Sequence, residues 1–287
     1  MERQSSPEQS KRWGFRRPRR LKTIALLPTL ITLGNGVCGV IAIFYIGQYM
    51  ADPAAERVAQ RAAWLILAAM VFDALDGFVA RLTRTTSSFG AQLDSLCDLI
   101  TFGVAPAFLT YAMSRNLVAE PWARPVQAVC VLYAMCALIR LARFTVETTP
   151  DESSHREFAG LPSPAAAGVM ASAVLPAVTL SKFAPGLADA IRHALPGLAL
   201  ATGILMVSRV KYAHVVNRVL KGRRPFVTLI EIALVIALFF LFREFAFFIA
   251  FFGYAVTGPL FWLKKRIFRK PAASVAPGSE ERHGNVG

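Results

Sequence analysis

Four aspartates lie in two apolar stretches where a bilayer would tolerate almost no charge: Asp73, Asp76, Asp94 and Asp98. An unpaired carboxylate in hydrocarbon costs several kcal/mol or more, so intramembrane acids usually face a water-filled cavity, where they bind ions or do chemistry. The segment DALDGFVARLTRTTSSFGAQLDSLCD is therefore the predicted active site.

The spacing of the chemical residues predicts two helices that meet at their acidic faces. One set recurs every three or four positions and so shares one helical face: Asp73, Asp76, Gly77, Ala80 and Arg81. Asp94 and Asp98 share a face of the next helix, with Gly90 one turn before Asp94. The polar run LTRTTSSF between the two sets is typical of a turn or a frayed helix end. The four carboxylates are consequently expected to converge.

Converging carboxylates repel one another and stay protonated unless cations neutralise them, and no lysine lies among these four. Carboxylate oxygens are hard ligands that suit Mg²⁺ or Mn²⁺. A site for two divalent cations, held by Asp73, Asp76 and Asp94 with Asp98 joining the second cation, is the simplest interpretation. A structural polar network or the proton relay of a transporter is the alternative.

The complete pattern DxxDGxxARx8GxxxDxxxD fixes eight positions, and residues 73–98 fill every one of them. This pattern resembles the signature of the CDP-alcohol phosphatidyltransferase family. The resemblance implies transfer of a phosphatidyl group from a CDP-linked lipid to an alcohol, with release of CMP. It assigns the role of general base to the last aspartate, Asp98, and it implies a homodimer. A catalytically dead scaffold is disfavoured because every carboxylate of the motif is present.

Each residue type in the motif suits that chemistry. An alcohol must lose its proton as it attacks phosphorus, and a carboxylate beside the phosphoryl group can accept the proton. The small residues Gly77, Ala80 and Gly90 let the CDP-lipid approach the helix backbone closely. Arg81 lies on the same face and could donate charge-assisted hydrogen bonds to phosphate oxygens, although a snorkelling topology residue would look the same.

Three further stretches look like the integral-membrane phosphatidylserine synthases within that family: residues 28–43, residues 89–108, and residues 137–144 with 158–168. This likeness implies CDP-diacylglycerol and L-serine as substrates, in a bacterial inner membrane. Thr32 and Asn35 could line the nucleotide cleft or serve as polar contacts between helices. Arg140 and Arg143, near a helix end, could bind the serine carboxylate or a lipid phosphate, and plain topology residues would look alike.

Two residues depart from the pattern of those synthases at flanking positions. Ser163 stands in GLPSP, where isoleucine is expected, and Thr145 follows RLARF, where asparagine is expected. They leave the transferase prediction intact and weaken the prediction of serine modestly. Related transferases that use glycerol phosphate, inositol phosphate or choline are therefore the alternative.

The rest of the chain predicts a membrane scaffold. Its 287 residues are 55% hydrophobic with a mean hydropathy of +0.46, too apolar for an ordinary soluble domain, yet the net charge is +14. Eight apolar stretches predict an all-α, polytopic transmembrane bundle of about eight helices. They lie near residues 24–49, 62–80, 92–113, 126–146, 164–181, 187–207, 226–242 and 245–263.

These spans divide the chain into four predicted regions: a basic tail (1–23), a six-helix core (24–225), a transmembrane hairpin (226–263) and a basic, disordered tail (264–287). With the N-terminus inside, 25 of the 32 lysines and arginines fall on the inner side and 7 on the outer side. The positive-inside rule then places both termini and the aspartates on the cytoplasmic side.

The remaining features of the sequence indicate no further functional site. The basic segments are expected to contact anionic membrane lipids, and no nucleic-acid partner is expected. The apolar run after residue 23 is expected to be a span and not a cleaved signal peptide. The four cysteines lack paired metal-ligand spacing, so neither a disulfide nor a zinc site is implied.

Overall fold

The computed structural model describes residues 20–83, 88–115, 117, 121–147, 160–210 and 243–267. Throughout these residues the regular structure is helical. Its elements are α1 (Arg20–Ala51), α2 (Glu56–Thr83), α3 (Ser88–Asp98), a π-helical segment (Leu99–Val104), α4 (Ala105–Ser114), α5 (Ala123–Glu147), α6 (Ser163–Leu180), α7 (Pro185–Val207) and α8 (Arg243–Ile267).

Seven helical stretches within the described ranges are long and apolar enough to cross a membrane, with α3, the π-helical segment and α4 together forming one of them. This confirms the predicted all-α polytopic bundle. The predicted separation of the fifth and sixth spans is confirmed as well, because α6 ends at Leu180 and α7 begins at Pro185. The predicted span at 226–242 lies outside the described residues.

Glycines on α1 let it approach the segment that carries Asp98. A Cβ atom at Gly36 would lie 2.8 Å from the Cys97 sulfur, and one at Gly39 would lie 2.9 Å from the Cα atom of Thr101. Small residues allow transmembrane helices to pack backbone against backbone. The first span is consequently in close contact with the residues on both sides of Asp98.

The π-helical segment directly follows Asp98 and is held from two sides. Its last turn closes with a bond from the Ala105 N–H to the Ile100 carbonyl, five residues earlier. The Tyr133 hydroxyl of α5 donates to the Phe102 carbonyl at 3.1 Å, and the Thr101 hydroxyl donates to the Asn35 carbonyl at 3.2 Å. Isolated π-type turns often occur at functional sites, and here one joins the acidic helix to α4.

A polar network ties the helices together at the end of α2 farthest from the aspartates. Glu56 accepts hydrogen bonds from Arg192 of α7 and from Ser181, which follows α6. Gln60 donates to Glu244 of α8 at 2.8 Å. Asp73 is 17 residues beyond Glu56, which in a helix is about 25 Å. The ends of α2, α6, α7 and α8 that the basic-residue count places outside therefore meet in the fold.

Helix α6 lies at the centre of the bundle, and α8 packs against it. In α6, 83% of the spanning window is buried, the largest share among the seven. A Cβ atom at Gly168 would lie 2.5 Å from the Phe251 ring, so α8 fits closely against the small residues of α6. An edge-to-face contact of Trp64 with Phe247, 5.4 Å between ring centroids, joins α8 to α2. These contacts pack α8 against both α6 and α2.

Candidate active site

Three of the four predicted carboxylates converge between α2 and α3. Asp73 and Asp76 extend from α2 and Asp94 from α3, and one carboxylate oxygen from each lies within 4.8 Å of the others. Asp76 is buried, and Asp73 and Asp94 are half-buried. The helical spacing that predicted a shared acidic face is thus realised for these three residues.

Two oxygens of this acidic cluster (Asp73, Asp76 and Asp94) are buried without a hydrogen bond from any described residue: Asp76 Oδ2 and Asp94 Oδ1. A buried carboxylate oxygen without a donor is costly unless a cation lies beside it. Carboxylates are preferred ligands of Mg²⁺, Mn²⁺ and Ca²⁺. The donor atoms present therefore fit a hard divalent cation.

Asp98 lies beside the acidic cluster and is not one of its three members. It is the last residue of α3 and is buried, and its Oδ1 accepts a hydrogen bond of 2.8 Å from the side-chain amide of Asn35. It interacts electrostatically with Asp73 and Asp94. The amide oxygen of Asn35 is itself buried, with no partner among the described residues. Asp98 is thus placed close to the acids and oriented by α1.

The other residues predicted to contact the CDP-lipid lie on α1, α2 and α3, the helices that carry this centre. The Thr32 hydroxyl donates to the Pro28 carbonyl at 3.0 Å and lies next to Asp76. If Gly77 carried a Cβ atom, the nearest atom of the described residues would be Arg81 Nη1, at 3.8 Å, so no described residue fills this part of the helix surface. Arg81 is exposed; Ala80 and Gly90 are half-buried.

Arg140 approaches the acids from α5, which the spacing of residues 73–98 could not predict. It is half-buried and interacts electrostatically with Asp98 and Asp73. Its Nη1 donates to the Ser163 hydroxyl at 2.8 Å, whereas its Nε has no hydrogen-bond partner in the described part of the chain. Arg143 is half-buried on the same helix, and no contact with the aspartates is found for it among the described residues.

Of the two departures from the synthase pattern, Ser163 contacts a predicted site residue, so the expectation of a merely flanking position was wrong for it. Ser163 contacts Arg140, and the Thr145 hydroxyl lies 3.4 Å from that of Ser95, the neighbour of Asp94 in the chain. A third residue that sequence reasoning missed is Tyr254 of α8, which interacts electrostatically with Arg140. No spacing within the chain links residues 140, 163 and 254, because α5, α6 and α8 meet only in the fold.

The spanning helices and the buried acids together define a multi-pass membrane protein with a polar site inside its bundle. The family model described as CDP-alcohol phosphatidyltransferase matches residues 25–217, more than half of the chain. The chain therefore belongs to the CDP-alcohol phosphatidyltransferase family, as residues 73–98 predicted. The match ends before α8.

Several relatives bear the name CDP-diacylglycerol–serine O-phosphatidyltransferase. One from Helicobacter pylori (strain J99) is 36% identical over 194 residues, which cover 68% of this chain and 74% of the relative. One from Methanocaldococcus jannaschii is 35% identical over 155 residues, covering 54% and 65%. One from Saccharomyces cerevisiae is 39% identical over 139 residues, covering 47% and 48%. Similarity to enzymes of this name thus extends across bacteria, archaea and a eukaryote.

Proposed function

We propose that the chain transfers the phosphatidyl group of CDP-diacylglycerol to L-serine and releases CMP. The names of its relatives support this activity. One observation in the fold supports serine as the acceptor. The guanidinium of Arg140 lies near Asp98 and Asp73, and its Nε has no hydrogen-bond partner among the described residues. Arginine is well suited to bind a carboxylate through two parallel hydrogen bonds.

The donor binds, in this proposal, along the acidic face of α2 and α3. Asp73, Asp76 and Asp94 hold divalent cations, Mg²⁺ or Mn²⁺, with Asp98 as a further ligand of the second. When bound, these cations neutralise the diphosphate and stabilise the charge that develops on the leaving CMP. The orphaned oxygens of Asp76 and Asp94 support this assignment.

The cytidine and phosphates occupy the groove lined by the small residues Gly77, Ala80 and Gly90. The open space beside Gly77 supports this placement, because a side chain there would project into the groove. Arg81, at the exposed edge of the groove, donates to phosphate oxygens. Thr32 and Asn35 bound the groove on the side of α1.

Asp98 acts as the general base. It takes the proton of the serine hydroxyl while the serine oxygen forms a bond to the phosphatidyl phosphorus and the bond from that phosphorus to CMP breaks. The hydrogen bond from Asn35 occupies one carboxylate oxygen, Oδ1, and leaves Oδ2 for the proton. Arg140 holds the carboxylate of serine, so that the hydroxyl points towards Asp98. Arg143 is a weaker candidate for the same role.

The proposed setting is the bacterial inner membrane, with the active site facing the cytoplasm. The distribution of lysine and arginine between the predicted loops supports this orientation. A cytoplasmic site gives access to serine from water and to CDP-diacylglycerol from the bilayer. A homodimer is part of the proposal as an expectation from the family.

The test is CMP release by the purified full-length protein in mixed micelles of CDP-diacylglycerol and detergent with Mn²⁺ or Mg²⁺. L-Serine should support release, and glycerol 3-phosphate, inositol, inositol phosphate, choline and ethanolamine should support much less. A site that pairs a carboxylate rejects ethanolamine because a buried arginine would be left unpaired. A preference of tenfold or more for choline or a phosphorylated alcohol would overturn the serine assignment and leave the CDP chemistry standing.

A further inference from the structure

Arg140 is held by one nitrogen of its guanidinium. Its Nη1 donates a hydrogen bond of 2.8 Å to the hydroxyl of Ser163, the first residue of α6, and Ser163 is fully buried. The hydroxyl has no capping role, since Pro162 is the N-cap of α6 and no side-chain cap bond is formed there. The hydroxyl of Ser163 is thus directed at Arg140 and not at its own helix.

The hydrogen bond from Nη1 to Ser163 bears on which edge of the guanidinium can bind a ligand. A planar guanidinium presents two edges that can bind a carboxylate with two N–H groups, one formed by Nη1 and Nη2 and the other by Nε and Nη2. Ser163 takes one of the two N–H groups of Nη1 and does not contact the edge that contains Nε. Nε is the buried donor without a partner among the described residues, so this edge is the one that most needs a ligand.

The electrostatic partners of Arg140 place its guanidinium near the acids. Arg140 interacts with Asp98, Asp73 and Tyr254 of α8. A long arginine side chain has many rotamers, so its guanidinium keeps one orientation only where a partner holds it. Ser163 supplies that fixed point from a separate, deeply buried helix.

We infer that Ser163 is a positioning residue that orients Arg140 so that its Nε edge binds the carboxylate of the acceptor. This inference rests on the proposed function. Ser163 touches neither substrate nor cation; it acts through Arg140. Isoleucine, which the synthase pattern favours at this position, could not accept the hydrogen bond, so this chain holds its arginine by a contact of its own.

The experiment compares Ser163→Thr with Ser163→Val in the full-length protein, since the two side chains have the same shape and differ in the hydroxyl. CMP release is measured against L-serine and against CDP-diacylglycerol. The valine variant should raise the KM for serine about tenfold relative to the threonine variant, because a hydrogen bond to a charged group is lost. Its kcat and its KM for CDP-diacylglycerol should change less than about twofold.

Two controls separate positioning from general damage. Ser172→Val alters another fully buried serine of α6, whose hydroxyl bonds to the Val169 carbonyl of the same helix, and it should leave the KM for serine unchanged. In an Arg140→Ala background, the Thr and Val variants of Ser163 should have the same KM for serine, because the group through which they act is gone.

The outcomes distinguish this inference from the proposed function. Serine-dependent CMP release by the wild type, with equal serine KM values for the two Ser163 variants, overturns the inference alone. An equal rise in the KM for both substrates also overturns it, since that result indicates a general defect in packing. Absence of serine-dependent release by the wild type overturns the proposed function and the inference with it.

Discussion

The side-chain amide of Asn35 donates a hydrogen bond of 2.8 Å to the carboxylate of Asp98, which joins the first helix to the end of the third. Both residues are buried, Asn35 completely. A carboxylate in a site poor in water changes its direction easily unless a donor fixes it, and charge-assisted hydrogen bonds of this length are among the strong ones. Asn35 therefore holds Asp98 in one orientation relative to the acidic cluster.

Replacing Asn35 with alanine should lower kcat about tenfold or more, because the loss of a hydrogen bond to a charged group costs about 1.5–3 kcal/mol. Steady-state CMP release gives kcat and both KM values. Thr110→Ala, which removes a buried hydroxyl bonded to its own helix at Pro106, is the matched control and should leave kcat unchanged. A rise in the KM for CDP-diacylglycerol with kcat preserved would show that Asn35 serves only to bound the groove and does not act on Asp98.

Replacing Asp94 or Asp73 with asparagine should abolish turnover, by a factor of about a thousand or more, together with metal-dependent binding of the CDP-lipid. Each residue supplies an oxygen to the acidic cluster, and the loss of one charged ligand weakens every cation that shares it. Equilibrium binding of CDP-diacylglycerol with and without Mn²⁺ provides the second readout. Asp52→Asn, in the exposed turn after α1, is the control. Wild-type turnover by either variant would end the two-cation interpretation.

Asp98→Asn should behave differently, because Asp98 lies beside the acidic cluster and accepts its hydrogen bond from Asn35. A general base contributes about 10²–10⁴-fold to the rate, so kcat should fall by that order. Binding of the CDP-lipid with Mn²⁺ should survive better than turnover. Equal losses of binding and turnover would show that Asp98 acts mainly as a cation ligand.

Gly39→Ala should lower both the thermal midpoint in detergent and the activity. The new methyl group would lie 2.9 Å from the Cα atom of Thr101 and closer still to its hydroxyl oxygen, so α1 has to shift away from the π-helical segment. Overpacking of this kind costs about 1–3 kcal/mol. Gly47→Ala is the matched control on the same helix, because no atom of the described residues would lie within 4 Å of the new Cβ. Equal midpoints for the two variants would contradict the close packing of α1.

The orientation of the bundle can be tested by labelling single cysteines from outside intact cells, in a variant without the four native cysteines. A probe at Ala54, in the exposed turn between α1 and α2, should be labelled, and probes at Ser87 or Gly222 should not. The expectation follows from the excess of lysine and arginine on the predicted inner side. External labelling at Ser87 would invert the topology and remove the site from cytoplasmic serine.

The parts of this protein that the sequence predicts are those governed by short spacings. Helical periodicity placed Asp73 and Asp76 on one face of α2, and the spacing predicted that Asp94 meets them from the next helix. Span lengths followed from runs of apolar residues, including the boundary between α6 and α7. These features depend on residues a few positions apart, so they can be read from the sequence alone.

The remaining features depend on contacts between distant helices, and no spacing encodes them. The bond from Asn35 to Asp98 spans 63 positions, and that from Arg140 to Ser163 spans 23. The sequence alone identifies Ser163 only as a flanking residue that weakens the prediction of serine modestly, because its partner Arg140 is found only in three dimensions. The interruption of the third span by π-type turns was not predicted either, since LITFGV contains no residue that demands it.

The π-helical segment Leu99–Val104 also sets the rotational phase between the two halves of the span that it interrupts. Each π-type bond encloses one residue more than an α-type bond. Deleting one residue here would restore regular α-helix and rotate α3 by about 100° relative to α4. The Ser114 hydroxyl anchors α4 by a hydrogen bond of 3.0 Å to the Arg192 carbonyl. Since α4 is held in place, α3 would be the part that rotates, and Asp94 and Asp98 would turn with it. A single additional residue thus keeps both acids facing α2.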